Sequence, residues 1–182
     1  RNDDLFSMII RTMVSFAKGE NDRARECYSN AMISFCAGNT KSFLFPFEED
    51  FVGMFAFAFP ELFEQEHGRR LMRDGELNML LKMLLKRVKK IRGTDRSTPR
   101  LLRARCMELL GLDQGVKLLY DRALQASKIE GNYLAQILAY VWFGNYLVKM
   151  GQSQKRNYLR RADKIARALN LNAITSYTQA LM

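Results

Sequence analysis

One spacing of small and bulky residues constrains the fold of this chain more than any other feature of the sequence. Gly19 is followed by Ala24, Tyr28 and Ala31, at intervals of five, four and three residues. A glycine can take the positive φ that ends one helix, and the three later residues share one face of the helix that follows. Small side chains on that face let two helices approach closely. The stretch therefore predicts a helical hairpin.

This spacing of a glycine and three later residues, which we call the frame, occurs twice more in the second half of the chain. Gly111, Val116, Tyr120 and Ala123 repeat its spacing, and Gly151, Leu159 and Ala162 form a looser copy that is one residue short. The frame resembles the helix-turn-helix unit of tetratricopeptide repeats, in which a glycine, alanines and a bulky residue hold these positions. The resemblance implies an all-α chain of antiparallel helical hairpins, arranged as a repeat or superhelical array that acts as a binding scaffold.

Composition and hydropathy periodicity predict nine or ten helices. Hydrophobic residues make up 48% of the 182 residues, and only three residues are prolines, which are costly inside helices. The first predicted helix covers residues 3–17, with Asp3 or Asp4 as its cap. Its predicted inward face consists of Leu5, Met8, Ile9, Met13 and Phe16.

A short stretch rich in turn-forming residues is the predicted boundary between two halves. Residues 93–98 contain a glycine and end before Pro99, so they predict a linker between residues 1–92 and residues 99–182. The first half ends in a long predicted helix that is capped by Asp74. Its apolar residues have coiled-coil spacing and are Leu77, Leu81, Leu84, Val88 and Ile91. Both core packing and association with a second copy of the chain would explain this spacing.

Eight of the twelve phenylalanines lie between residues 43 and 63. Residues 41–50 predict an extended connector, which gives way to a helix over residues 48–67 with a break at Pro60. The rings either fill the inside of the helical array or line an apolar groove for a partner helix or a small molecule. The candidate groove residues are Phe43, Phe45, Phe47, Phe51, Phe55 and, on a later apolar helix, Trp142.

Positive charge is concentrated in residues 69–105. This stretch holds thirteen lysines and arginines against three acidic residues, a balance equal to the net charge of +10 of the whole chain. Such a stretch binds nucleic acid, an acidic lipid surface or an acidic protein, or is a solvated helix face. No aromatic residue is interleaved with these charges, which argues against base stacking. The candidate basic surface consists of Lys82, Lys86, Arg87, Lys89 and Lys90.

About sixty residues are also similar to part of a known group of regulators. The stretch holds Gly19, Ala24, Tyr28, Ala31 and Gly38, followed by Phe45-Pro-Phe-Glu-Glu49 and an apolar helix. This order resembles the end of the repeat region in large ATP-dependent LuxR-type regulators. In such regulators the helical repeats sense an inducer or a partner, and a separate helix-turn-helix domain contacts DNA. The resemblance implies a sensor or interaction module and leaves residues 69–110 unexplained.

The residues that catalysis or metal binding would need are sparse. His67 is the only histidine, and the chain has no glycine-rich phosphate loop and no glycine-bracketed serine. Cys27, Cys36 and Cys106 lack ligand-like spacing and predict reduced thiols. We therefore expect no enzymatic activity, no cofactor and no metal. We expect a cytoplasmic location, or a nuclear one if the protein is eukaryotic and associated with nucleic acid.

The sequence favours a helical scaffold that acts as a protein-interaction or regulatory domain of a larger protein. The expected partner is a protein or peptide, with a second copy of the chain as an alternative. Two other functions stay open, namely nucleic-acid binding through residues 69–105 and small-molecule sensing at the phenylalanine-rich stretch. The uncharged segment of residues 131–148 is interpreted as a helix buried among its neighbours, and no membrane span is expected.

Overall fold

The fold is known from a computed structural model, which describes residues 5–37, 48–68, 70–89 and 96–182. Over these residues the chain forms nine α-helices and no strands, which confirms the all-α prediction. The helices are α1 (Leu5–Ala17), α2 (Asn21–Ala37), α3 (Glu48–His67), α4 (Asp74–Val88), α5 (Ser97–Leu109), α6 (Val116–Glu130), α7 (Tyr133–Lys149), α8 (Lys155–Ala168) and α9 (Asn172–Ala180).

The chain divides into two compact units, residues 1–90 and residues 91–182. Unit 1 contains α1 to α4, and unit 2 contains α5 to α9. Half of the predicted linker, residues 93–95, lies outside the described residues. Ser97 and Thr98, which we expected in that linker, belong instead to the first turn of α5 and are buried. The reason is that the backbone N–H and the hydroxyl of Ser97 both donate to the Glu130 carboxylate, over 2.9 and 2.5 Å.

The predicted hairpin corners are present, and all have the same hydrogen bonding. Gly19 has a φ of 74° and Gly111 a φ of 69°, and each is followed by an N–H that bonds back across the end of the preceding helix. The Glu20 N–H donates to the Ser15 carbonyl oxygen over 2.9 Å. The same bond pattern closes the corners at Gly131, Gly151 and Asn170, where Asn170 has a φ of 56°.

The frame residues face the core, as their spacing predicted. Their side chains are at most 1% exposed, and the residues are Ala24, Tyr28, Ala31, Val116, Tyr120, Ala123, Leu159 and Ala162. Two consecutive helices pack against each other at each corner, namely α1 with α2, α5 with α6 and α7 with α8. The small side chains of the frame thus lie where two helices meet.

α3 runs without a break through Pro60, contrary to the break that we expected there. A proline inside a helix has no N–H for the carbonyl four residues earlier, which here is that of Ala56. The hydroxyl of Tyr28 on α2 donates to this carbonyl oxygen over 2.5 Å. Burial, with a smaller contribution from Cys36, raises the pKa of Tyr28, so its hydroxyl keeps its proton. The tyrosine of the first frame thereby satisfies the acceptor that the proline leaves without a donor.

α1 places large apolar residues on the side that faces solvent, which the periodicity did not predict. Thr12 and Ser15 are buried, whereas Met13, expected on the inward face, is 41% exposed. Thr12 can be buried because its hydroxyl donates to the Met8 carbonyl oxygen over 2.9 Å. Two small polar side chains on the inner face allow α1 to pack closely on α2. The prediction that Met13 points inward is therefore wrong.

α4 packs into unit 1 through its apolar stripe. Leu81, Leu84 and Val88 are at most 2% exposed, and α4 contacts α2. Core packing thus accounts for these three residues of the stripe, while Leu77 is half-buried and Ile91 lies outside the described residues. Asp74 is the first residue of the helix rather than its cap. The cap residue is Arg73, whose backbone N–H donates to the Glu76 carboxylate over 3.0 Å.

Unit 2 is built around α7, which contacts α5, α6 and α8. Most of its side chains are buried, as expected for a helix enclosed by its neighbours. Gly144 lies where α7 meets α8, and a Cβ added to it would be 3.1 Å from the Cβ of Tyr158. In the described parts of the chain, every helix is too short or too polar to cross a membrane.

Candidate binding surfaces

The described phenylalanines of the candidate groove belong to the core of unit 1. Phe43, Phe45 and Phe47 lie outside the described residues, as does the side chain of Phe51. Phe55 is half-buried, with its ring centroid 5.2 Å from that of Phe59. Further rings of this stretch, Phe57, Phe59 and Phe63, are at most 5% exposed. These rings fill the interior of unit 1, which agrees with the first of the two interpretations for this part of the stretch.

Trp142 lines no open surface. Its side chain is fully buried in α7, and the guanidinium carbon of Arg105 lies 5.4 Å from its ring. Trp142 belongs to unit 2 and Phe55 to unit 1. The tryptophan can therefore report on the packing of unit 2, but its ring is not available to a partner.

The candidate basic surface keeps three exposed lysines on α4. Lys82, Lys86 and Lys89 are spaced by four and three residues, so they lie along one face of the helix. Lys89 is the cap residue that follows the last residue of α4. Arg87 is half-buried, and its guanidinium carbon lies 5.8 Å from the ring of Phe35. Lys90 lies outside the described residues. The surface is thus a row of lysines, with Arg87 packed against the protein.

The outer face of α1 was missed by the sequence analysis. Phe6, Ile10, Met13 and Val14 are each between 41% and 46% exposed and lie on one side of the helix. The signal was present, because α1 is apolar on both sides, and we assigned only one of them. A row of four large, partly exposed apolar side chains is a candidate surface for binding another molecule.

A second missed feature is a depression of about 770 Å³ in unit 1. It is lined by Arg25 of α2, Arg70, Leu71 and Met72 of the α3–α4 connection, and Arg73 and Glu76 at the start of α4. We expected Arg70 and Arg73 within a basic stretch, but no pattern in the sequence indicates that Arg25 joins them. Among the described residues, the lining therefore combines three guanidinium groups with a single carboxylate.

Glu108 is the centre of a buried charge network in unit 2. Its carboxylate accepts hydrogen bonds from Arg105 over 2.7 Å, Lys149 over 2.7 Å and Tyr120 over 2.5 Å. Burial by itself would raise the pKa of Glu108, but the charge of Arg105 and these three hydrogen bonds outweigh it and hold the pKa below its usual value. The network joins α5, α6 and α7, so we assign it a structural role.

His67 is the last residue of α3 and packs against aromatic rings of unit 1. Its ring is half-buried, with centroid distances of 4.6 Å to Phe63 and 5.5 Å to Phe16. Its Nε2 is buried and makes no hydrogen bond within the described residues. Over the same residues, no three His, Cys, Asp or Glu side chains lie close enough together to hold a metal ion.

Comparisons with known protein families, curated proteins and solved structures found no match to this chain. Function is therefore inferred from three surfaces: the outer face of α1, the lysine row of α4 and the arginine-lined depression. Each of them lies within unit 1.

Proposed function

We propose that this chain is a non-catalytic helical scaffold that binds an amphipathic helix of a partner protein on the outer face of α1. The observation that supports this is the exposure of Phe6, Ile10, Met13 and Val14 on one side of that helix. In a packed helical protein the inner face of a helix normally carries its largest apolar residues. α1 instead buries Thr12 and Ser15, and its large apolar residues remain substantially exposed on the opposite face.

The spacing of these residues favours a helix as the occupant. They recur at intervals of four, three and one residues, which forms a ridge that packs into the groove of a second helix. Full burial of such a side chain is worth roughly 1.5–3 kcal/mol, and about half of each remains to be buried. Four such contacts are enough to support a transient interaction, with the affinity set by how well the helix fits.

A regulatory role within a larger protein fits this mode of binding. The resemblance to the sensor repeats of LuxR-type regulators implies the same role, since those repeats respond to a partner or an inducer. We therefore propose that docking on α1 is how this chain receives or passes on a regulatory signal.

The test compares the chain with a double variant, Ile10→Asp and Val14→Asp, as baits for capture from cell extract. Proteins that are retained only by the unaltered chain are then purified. For each of them, peptides that cover its apolar helices are titrated against the unaltered chain and against the double variant. We expect the variant to weaken binding at least about tenfold, which is roughly 1.4 kcal/mol. Ile129→Asp is the control, because Ile129 is 86% exposed and lies in unit 2.

Equal binding of the peptide to the double variant would refute the assignment to α1. Analytical ultracentrifugation of the chain alone addresses the other occupant. If the unaltered chain is a dimer and the double variant is a monomer, the outer face of α1 binds a second copy of the chain and not the helix of a partner protein.

A second candidate function is phosphate-backbone binding of nucleic acid by the lysine row. The observation that favours it is the exposure of Lys82, Lys86 and Lys89 on one face of α4. The affinity would fall with salt at a log–log slope of about −0.9 for each duplex phosphate that is neutralised. Changing all three lysines to Ala should weaken binding equally for every sequence, because backbone contacts carry no base information.

The measurement compares DNA, RNA and candidate proteins at near-physiological salt. A variant with Ala at Lys117, Lys128 and Lys164 loses the same charge from exposed positions of unit 2 and serves as the control. Equal losses in the two triple variants would mean that net charge alone attracts the nucleic acid. Binding of proteins but not of DNA or RNA would make the lysine row a docking surface for an acidic protein.

A further inference from the structure

The depression of unit 1 brings together positive charges that repel one another. Arg25 comes from α2, whereas Arg70 and Arg73 come from the connection that leads into α4. Among the described residues of the lining, Glu76 is the acidic member, and its carboxylate already accepts a hydrogen bond from the backbone N–H of Arg73 over 3.0 Å. A concave site with an excess of guanidinium groups has a positive potential, which attracts anions.

Arg25 differs from its neighbour Arg23 on the same helix. Arg23 has a side chain that is 69% exposed and pairs with Glu20 over 3.3 Å. Arg25 is half-buried, and its Nε is buried without a hydrogen bond inside the described residues. A buried donor without an acceptor destabilises a protein by the full cost of its desolvation. A bound anion would supply an acceptor for the guanidinium group of Arg25 at this wall of the depression.

We propose that the depression lined by Arg25, Arg70 and Arg73 binds a phosphate monoester, carried either by a small molecule or by a phosphorylated side chain. Guanidinium groups suit this ligand because their planar fork makes two parallel hydrogen bonds to phosphate oxygens. The volume of about 770 Å³ holds a phosphate together with the group that it is attached to.

The start of α4 adds little to the attraction. A helix N-terminus favours anions, but the carboxylate of Glu76 in the first turn already offsets part of its partial positive charge. The arginines therefore provide the specificity. This site is separate from the docking face of α1 and from the lysine row, and it would stand if either of those were refuted.

The first experiment titrates inorganic phosphate and O-phosphoserine into the whole chain by calorimetry, in chloride buffer of constant ionic strength. We expect saturable binding that Arg25→Gln and Arg73→Gln each weaken by about tenfold or more. Arg23→Gln removes the same charge from the same helix two residues away, so it should change the affinity by less than about twofold. Arg25→Lys should also weaken binding, because a lysine keeps the charge but loses the fork.

Circular dichroism and thermal unfolding in phosphate-free buffer establish that each variant is folded. If Arg25→Gln unfolds, Arg73→Gln carries the test, because Arg73 is exposed. No saturable binding of either ligand, or equal weakening by Arg23→Gln, would overturn the proposal. Tighter binding of a phosphoserine peptide than of O-phosphoserine would identify the source as a phosphorylated side chain, and equal affinity would identify a small molecule.

Discussion

Replacing Tyr28 with Phe removes one hydroxyl group from the core of unit 1 and leaves its ring in place. The contacts of that ring with Phe55 and Phe59, at 5.9 and 5.5 Å between centroids, are retained. The carbonyl oxygen of Ala56 loses its donor, because Pro60 has no N–H to replace the hydroxyl. A buried acceptor without a partner costs about 1–3 kcal/mol. We expect the free energy of unfolding of unit 1 to fall by about 2 kcal/mol.

The same substitution should have little effect when Pro60 is replaced by Ala. The alanine introduced at position 60 would donate its N–H to the Ala56 carbonyl oxygen within the helix, so this oxygen would keep a partner without Tyr28. Pro60→Ala alone should stabilise unit 1 or leave it unchanged, because proline is the least favourable residue inside a helix. The double-mutant cycle should then give a coupling energy of about 1 kcal/mol or more.

Urea unfolding measured by far-UV circular dichroism tests this prediction. Trp142 is the only tryptophan and lies in unit 2, so its fluorescence follows that unit separately and should not change. Tyr133→Phe is the matched control, because Tyr133 is 52% exposed and a solvated hydroxyl contributes less than about 0.5 kcal/mol. If Tyr28→Phe lowers the free energy of unfolding equally with Pro and with Ala at position 60, the hydroxyl does not replace the hydrogen bond that the proline lacks.

Four further substitutions test the contacts between the helices. The pKa of Glu108 is lowered, so its contribution to stability is present above its usual pKa of 4.5 and is lost as the pH falls through the folded-state pKa. Glu108→Gln should therefore destabilise unit 2 at pH 7 and abolish this loss of stability at acidic pH. Urea unfolding at several pH values measures both effects. Gly144→Val should lower the unfolding free energy by about 1–3 kcal/mol, because even a Cβ lies 3.1 Å from that of Tyr158. Ala31→Leu and Ala123→Leu should each lower the free energy of unfolding by about 1–3 kcal/mol as well. Unchanged denaturation midpoints would show that these alanines are not at close helix contacts.

Short-range signals allowed most helices to be predicted from the sequence. Gly19 and Gly111 mark helix ends, because a residue at that position of the corner must take a positive φ. The residues at +5, +9 and +12 from each glycine then share one face, and this fixes which side of the helix is buried. Such information lies within about fifteen residues, so one sequence is enough to read it.

Contacts between distant residues explain most of what the sequence did not reveal. Pro60 would break an isolated helix, but Tyr28, which precedes it by more than thirty residues, supplies the missing partner for α3. Met13 lies outward because Thr12 and Ser15 occupy the inner face, where the hydroxyl of Thr12 donates to the Met8 carbonyl oxygen. Arg25 joins the depression only because α2 lies against the start of the α4 region. For Pro60 and Arg25 the deciding neighbour is remote in sequence, whereas for Met13 it lies within the same helix.

The corners at Gly19, Gly111, Gly131, Gly151 and Asn170 bear on how the chain folds during synthesis. Each of them is closed by a hydrogen bond between residues only five positions apart, and the main helix pairings join neighbours or next neighbours in the chain. Proteins dominated by such local contacts fold quickly, in microseconds to milliseconds. Translation adds roughly 5–20 residues per second, so each hairpin has time to form before the next one leaves the ribosome. The apolar outer face of α1 is therefore made before the helices that follow it, and it stays exposed while those helices are synthesised.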